Sequence, residues 1–331
     1  MNLDRDASHF GPKFNVTDLG SHDLSAPAPS GPSQFDRRRL LRGGLTGLGL
    51  LGAGVLLDAC GGKSELVDAS GKGVPKQTLV PMFPRDSAYL AAGVPVRLIY
   101  TIADAEGVPA MKLPDSVEFT VKLDGKAVGD PIMATPHGDG VPRPYLPISV
   151  TFPKKGLYDV YTTVDGDKLN SQLIVVNPDE VKIPMVGTQL PSVNTPTSKD
   201  SLGVDPICTR VPTCPFHEHD LATVLGTGRP VVVLLATPAY CQTTSCGPIL
   251  DILIEEAASL PKDVVVIHSE VYKDPKTVDD LNDATLAPLP AAYFMPFEPS
   301  LFVADKSNKV VARGDIAVDR KEMAQMLALA R

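Results

Sequence analysis

The sequence of 331 residues contains no tryptophan and only 5% aromatic residues. No large aromatic cluster is therefore expected to organise a core. It also lacks any block of lysine or arginine long enough to follow a phosphate backbone, and 31 basic against 39 acidic residues give a formal net charge of −8. That balance argues against nucleic acid as a partner. No apolar run reaches the roughly 20 residues of a spanning helix; the run from Gly43 to Leu57 is short and diluted by glycine. Cysteine is scarce as well, with five in the chain and none between Cys60 and Cys208. What is abundant is aliphatic side chain. With 43% hydrophobic residues over this length, a soft prior gives about two folded domains.

The first 60 residues read as an address. Residues 1–36 are polar and rich in Pro, Ser, Asp and Gly, a composition that buries too little surface to offset chain entropy, so disorder is expected. A basic run from Arg37 to Arg42, the Gly/Leu-rich run and a small residue before Cys60 follow in the order of a bacterial export signal, residues 37–60. Arg37-Arg38-Arg39-Leu40-Leu41 resembles the twin-arginine export motif. Leu57-Asp58-Ala59-Cys60 resembles a lipobox, in which the cysteine is diacylated and becomes the new N-terminus. The resemblance implies a protein held by Cys60 on the outer face of the bacterial cytoplasmic membrane, or secreted to the envelope. Residues 61–76 then form a flexible tether. Four cysteines remain, an even number in a compartment where disulfides persist.

Residues 77–177 change texture. Val94, Val96, Leu98, Tyr100 and Ile102 recur every second position, as do Val117, Phe119, Val121 and Leu123. Such alternation predicts half-buried strands. Asp124-Gly125 and Asp165-Gly166 supply turns between them. About seven short strands without a helical period predict an all-β sandwich that resembles the disulfide-free bacterial relatives of the immunoglobulin fold, with Tyr158 at the corner between sheets.

A Pro/Ser/Thr-rich linker, residues 178–203, leads into an α/β region, residues 204–331. Val231 to Leu235 is a continuous aliphatic run, the pattern of a strand buried on both faces. A helix is expected from Gly247 onward, a second buried strand at Val264 to Val271, a helix near Pro275 to Leu286, a hairpin from Ser300 to Asp315 and a last helix. With two cysteines at the first strand-to-helix junction and a proline leading into the hairpin, this order resembles the thioredoxin fold of the TlpA-like extracytoplasmic thiol/disulfide oxidoreductases. The resemblance covers the last two fifths of the chain and implies a redox pair, Cys241 and Cys246, with a cis-proline at Pro299 that turns the backbone of Glu298 toward the cysteine loop. The spacing is C-x4-C where that family usually shows C-x-x-C.

A cysteine at a helix start sits where free N–H groups and the helix dipole favour the thiolate, which assigns the attack to Cys246 and the partner role to Cys241. A competing alignment puts Cys241 in the attacking position. Cys208, Cys214, His217 and His219 offer soft and imidazole donors that could ligate zinc or copper, but C-x5-C-x2-H-x-H matches no structural zinc spacing, so a structural disulfide between Cys208 and Cys214 is expected and no metal or other cofactor is assigned. His217 and His219 read as exposed loop residues and His268 as a core histidine. The partner implied is a disulfide-bearing envelope protein or small molecule, with an electron donor of unknown kind. Two other classes stay open: a non-enzymatic envelope binding protein with inert disulfides, and a copper-handling protein resembling the Sco group.

Overall fold

Strict alternation becomes strand throughout the first half of the region that the computed structural model describes, residues 76–84, 88–241, 243–295 and 297–331. The export signal expected at Arg37 and Arg38, the lipid anchor expected at Cys60, the polar stretch 1–36 and all of the expected tether but Lys76 lie outside the described residues. Among the described residues no helix is long and apolar enough to cross a membrane.

Nine strands come first: β1 Gln77–Pro81, β2 Leu90–Ala91, β3 Pro95–Asp104, β4 Val117–Leu123, β5 Lys126–Ala127, β6 Ile132–Ala134, β7 Leu146–Thr151, β8 Gly156–Val164 and β9 Asp167–Val176. They form a three-stranded sheet, β1-β3-β7, and a six-stranded sheet, β2-β9-β8-β4-β5 with β6 paired on β4. Leu98, Tyr100 and Ile148 from the first sheet meet Phe119, Val160 and Leu173 from the second in one core. The β8–β9 hairpin turns on Asp165 and Gly166, whose φ angles of 50° and 90° are those of a two-residue turn with both central residues left-handed. Tyr158 is fully buried, and its hydroxyl donates to the Lys154 carbonyl at 2.6 Å.

Strand β3 departs from the half-buried expectation. Ile99 and Thr101, opposite Leu98 and Tyr100, are buried as well. Tyr145 and Ala317, the latter from far down the chain, pack with Ile99 on that second face.

The remaining elements are α1 Leu221–Val224, β10 Val231–Leu235, α2 Cys246–Ala257, β11 Val265–Ser269, α3 Pro288–Ala292, β12 Ser300–Ala304, β13 Val310–Asp315 and α4 Arg320–Leu327. The sheet order is β11-β10-β12-β13; β10 runs parallel to β11 and antiparallel to β12, and β12 pairs antiparallel with β13. Every residue of β10 is buried because both faces are covered. Val231, Val233 and Leu235 join Leu221 and Tyr293, while Val232 and Leu234 join Ile249 and Leu253 of α2 and Met323 of α4.

Two sequence expectations change here. The helix expected near 275–286 is replaced by two short 3-10 turns, Pro275–Thr277 and Leu281–Asp283. Its aspartates serve local turns instead: Asp280 accepts from the Asn282 N–H at 2.9 Å, and in the two turns only Pro275 is buried. The linker is also no free spacer. Its Gly187 and Leu190 N–H groups donate to Val310 and Asn308, and the Val310 N–H donates to Thr188, so the linker lies along β13.

Charged groups tie the first nine strands to the C-terminal elements within the compact unit Val74–Arg331. Arg97 of β3 forms two bonds to the Glu322 carboxylate, at 2.8 and 2.6 Å, and donates to the carbonyls of Asp315 and Ala317. Tyr145 donates to the same carboxylate, and Tyr89 to Asp315 at 2.7 Å. Removing one partner strands the others, so Arg97→Ala is expected to cost about 3–5 kcal/mol, read from urea unfolding. A loss below about 1 kcal/mol would show that this network does not join the two parts.

Candidate redox site

The site follows from strand pairing. Strand β10 ends at Leu235 and the chain leaves through Thr237, whose hydroxyl accepts from the Val271 N–H at 2.8 Å. The loop returns at Cys246, the first residue of α2, where Pro248 in the first turn forfeits no helical bond. Leu235 pairs with Ser300, so the start of β12 lies beside the end of β10, and Pro299 arrives next to the cysteine loop. The Glu298–Pro299 peptide is cis.

Cys241 and Cys246 are joined as a disulfide, with Cα atoms 6.0 Å apart. The two sulfurs differ in access. Cys246 is wholly buried, whereas Cys241 is half-buried. Cys246 Sγ lies 3.3 Å from Glu298 Oε2, and Cys241 Sγ lies 3.1 Å from the Thr243 hydroxyl. Glu298 is 6% exposed, and its Oε1 has no hydrogen-bond partner among the described residues. Burial pushes its carboxyl up to about 7, with the contacts to Thr237 opposing the rise. The resemblance to the redox family pointed to the backbone of Glu298, and the structure adds its side chain: a carboxyl that titrates near neutrality is a proton acceptor and donor.

The upstream cysteines are corrected. Cys208 and Cys214 are free buried thiols, not a disulfide. The imidazoles of His217 and His268 converge on them, with Cys214 Sγ 3.2 Å from His217 Nε2 and 3.4 Å from His268 Nδ1. His217 is therefore buried, at 4% exposure, where an exposed loop residue was expected, while His219 is half-buried. His268 is a core residue as read, but its Nδ1 faces the sulfurs. The signal that could have found it is strand register: His268 pairs with Leu234, near the same end of the sheet as the cysteine loop.

No protein family and no curated protein sequence matches the chain. Among solved structures, dimeric latent PorU from Porphyromonas gingivalis is similar over 37% of this chain, with 14% identity and a TM-score of 0.23, and the chain spans 15% of PorU. Titin M4 is similar over 31% of this chain and 98% of its own, at 8% identity and a TM-score of 0.20. Superoxide reductase (neelaredoxin) from Ignicoccus hospitalis is similar over 31% and 82%, at 12% identity and a TM-score of 0.20. Similarity at this level assigns neither a fold nor an activity.

Proposed function

We propose that the protein is a thiol/disulfide oxidoreductase of the bacterial envelope, with a thioredoxin-like domain carried behind an immunoglobulin-like sandwich and anchored through Cys60. The observation that carries this reading is the disulfide itself: one cysteine half-buried, one buried at a helix start, and the Glu298 carboxyl against the buried sulfur. The sheet order β11-β10-β12-β13, with the cysteines after β10 and the proline before β12, supports the fold assignment. An inert brace would need neither the carboxyl nor the difference in access.

In the reduced protein, access gives the first attack to Cys241, reversing the roles drawn from the helix start. The Cys241 thiolate attacks one sulfur of a substrate disulfide; a Cys241–substrate disulfide forms and the other substrate sulfur leaves as a thiolate. Cys246 then gives its proton to Glu298, and its thiolate attacks Cys241 Sγ. The Cys241–Cys246 disulfide forms and the second substrate thiolate leaves. Two electrons have passed to the substrate, whose two thiolates take up the proton that Cys241 lost to solvent on ionising and the one that Glu298 releases. A thiol or dithiol donor restores the pair, and the reverse sequence oxidises a dithiol substrate.

The test is reduction of a protein disulfide by the purified, fully reduced chain in a glutathione buffer. Turnover is expected for the wild type and background rate for Cys241→Ser/Cys246→Ser. No turnover in the wild type, or full turnover in the double variant, would overturn the reading.

A further inference from the structure

We propose that Cys208, Cys214, His217 and His268 form a closed four-ligand zinc site. The four donor atoms lie within 4.8 Å of one another. Zinc bonds of about 2.3 Å to sulfur and about 2.0–2.1 Å to nitrogen, set at tetrahedral angles, demand ligand-to-ligand edges of roughly 3.3–3.8 Å. Four of the six edges come within a few tenths of an ångström of those values: 3.2, 3.4 and 3.8 Å from sulfur to nitrogen, and 3.4 Å between His217 Nε2 and His268 Nδ1.

The surroundings point the same way. His268 Nε2 lies 2.9 Å from the Ala236 carbonyl, an acceptor, so the proton sits on Nε2 and the Nδ1 lone pair faces the sulfurs. The Cys214 N–H points at Cys208 Sγ, 3.5 Å away, as an amide does toward a thiolate. All four side chains are buried, at 6%, 4%, 4% and 0% exposure, which leaves no open position for a substrate. Two thiolates and two neutral imidazoles cancel the charge of a divalent ion, so the loaded site carries no net charge into the interior. Soft and borderline donors exclude calcium and magnesium, and a closed S2N2 tetrahedron favours zinc. Binding exchanges two thiol protons for the ion and involves no electron transfer.

The site has a structural task near the redox loop. From Asp205 to Asp220 the chain has no helix or strand to hold it. Its anchors include the Asp205 N–H to Lys273 carbonyl bond, the His268 N–H to Phe216 carbonyl bond, the Arg210–Asp251 ion pair and Thr209, and the four ligands would add a further one. Thr209 bonds the Glu270 carboxylate and accepts from the Ala239 N–H at 3.1 Å, two residues before Cys241. Zinc thus fixes the segment that supports the accessible cysteine. It also keeps two neighbouring thiols from oxidation in an oxidising compartment.

The experiment is elemental analysis of the full chain from zinc-supplemented cells, with cobalt(II) loading of the reduced, metal-free protein. The expected result is about one zinc per chain and a cobalt spectrum with intense tetrahedral bands and sulfur-to-metal charge transfer. Cys214→Ser and His268→Ala lose both signals, and Cys241→Ser/Cys246→Ser keeps both. Should a ligand variant fail to fold, the wild-type cobalt spectrum decides alone. A six-coordinate cobalt spectrum, copper in place of zinc, metal that departs with Cys241 and Cys246, or a Cys208–Cys214 disulfide in metal-free wild type would each overturn the proposal.

Discussion

Cys241→Ser is expected to lower the rate of attack on an external disulfide by about a thousandfold or more, because it removes the one sulfur of the pair that a substrate can reach. Cys246→Ser should behave differently. Its Cys241 still attacks, but nothing resolves the product, so a Cys241–substrate disulfide accumulates and can be isolated by mass spectrometry. The contrast follows from burial: Cys246 is wholly buried and Cys241 is not. A partner protein would have to open the base of α2 to touch Cys246, whereas the resolving step needs only that Cys241 stay where the loop holds it. Equal accumulation of adducts on Cys246 in the Cys241→Ser variant would return the attacking role to the helix start.

Glu298→Gln should flatten the pH dependence of stability. Burial raises the folded-state carboxyl from 4.5 to about 7, so the native protein keeps a proton that the unfolded chain releases. The sign follows from linkage: the stability associated with this proton is complete below about pH 4.5 and is lost as pH rises through about 7. Between about pH 5 and pH 8 the wild type should lose about 2–3 kcal/mol from this group alone. Glutamine has no proton to release, and the difference between the two proteins isolates Glu298 from Glu270, whose carboxyl burial also raises, to about 8. The same substitution should slow resolution by Cys246, since the acceptor 3.3 Å from its sulfur is gone. Parallel stability curves for the two proteins would show that Glu298 carries its charge throughout this range.

What could be read from sequence was whatever a local pattern encodes. The Val231 to Leu235 run announces a strand covered on both sides, and it is one. Ser-Cys-Gly-Pro before an aliphatic stretch announces a helix start, and α2 begins at Cys246. The Asp-Gly pairs announce turns with left-handed residues, as at Asp124-Gly125 and Asp165-Gly166. What was lost depends on which distant residues meet. His268 comes 54 residues after Cys214, and only the parallel register of β10 and β11 brings it to the thiols. Burial of Cys246 arises from packing with Leu234, Leu250 and Leu301, which no spacing rule supplies. The second face of β3 is covered by a residue more than two hundred positions away, so alternation alone could not show that it was buried.

The most direct test of the account is a glutathione redox titration of the folded chain, quenched with acid, then denatured, alkylated and read by mass at each cysteine. The account predicts that Cys241 and Cys246 become reduced together as one two-electron couple at potentials where the chain stays folded. Reduction of this pair only once the chain has unfolded would contradict it, and would make the disulfide a structural brace.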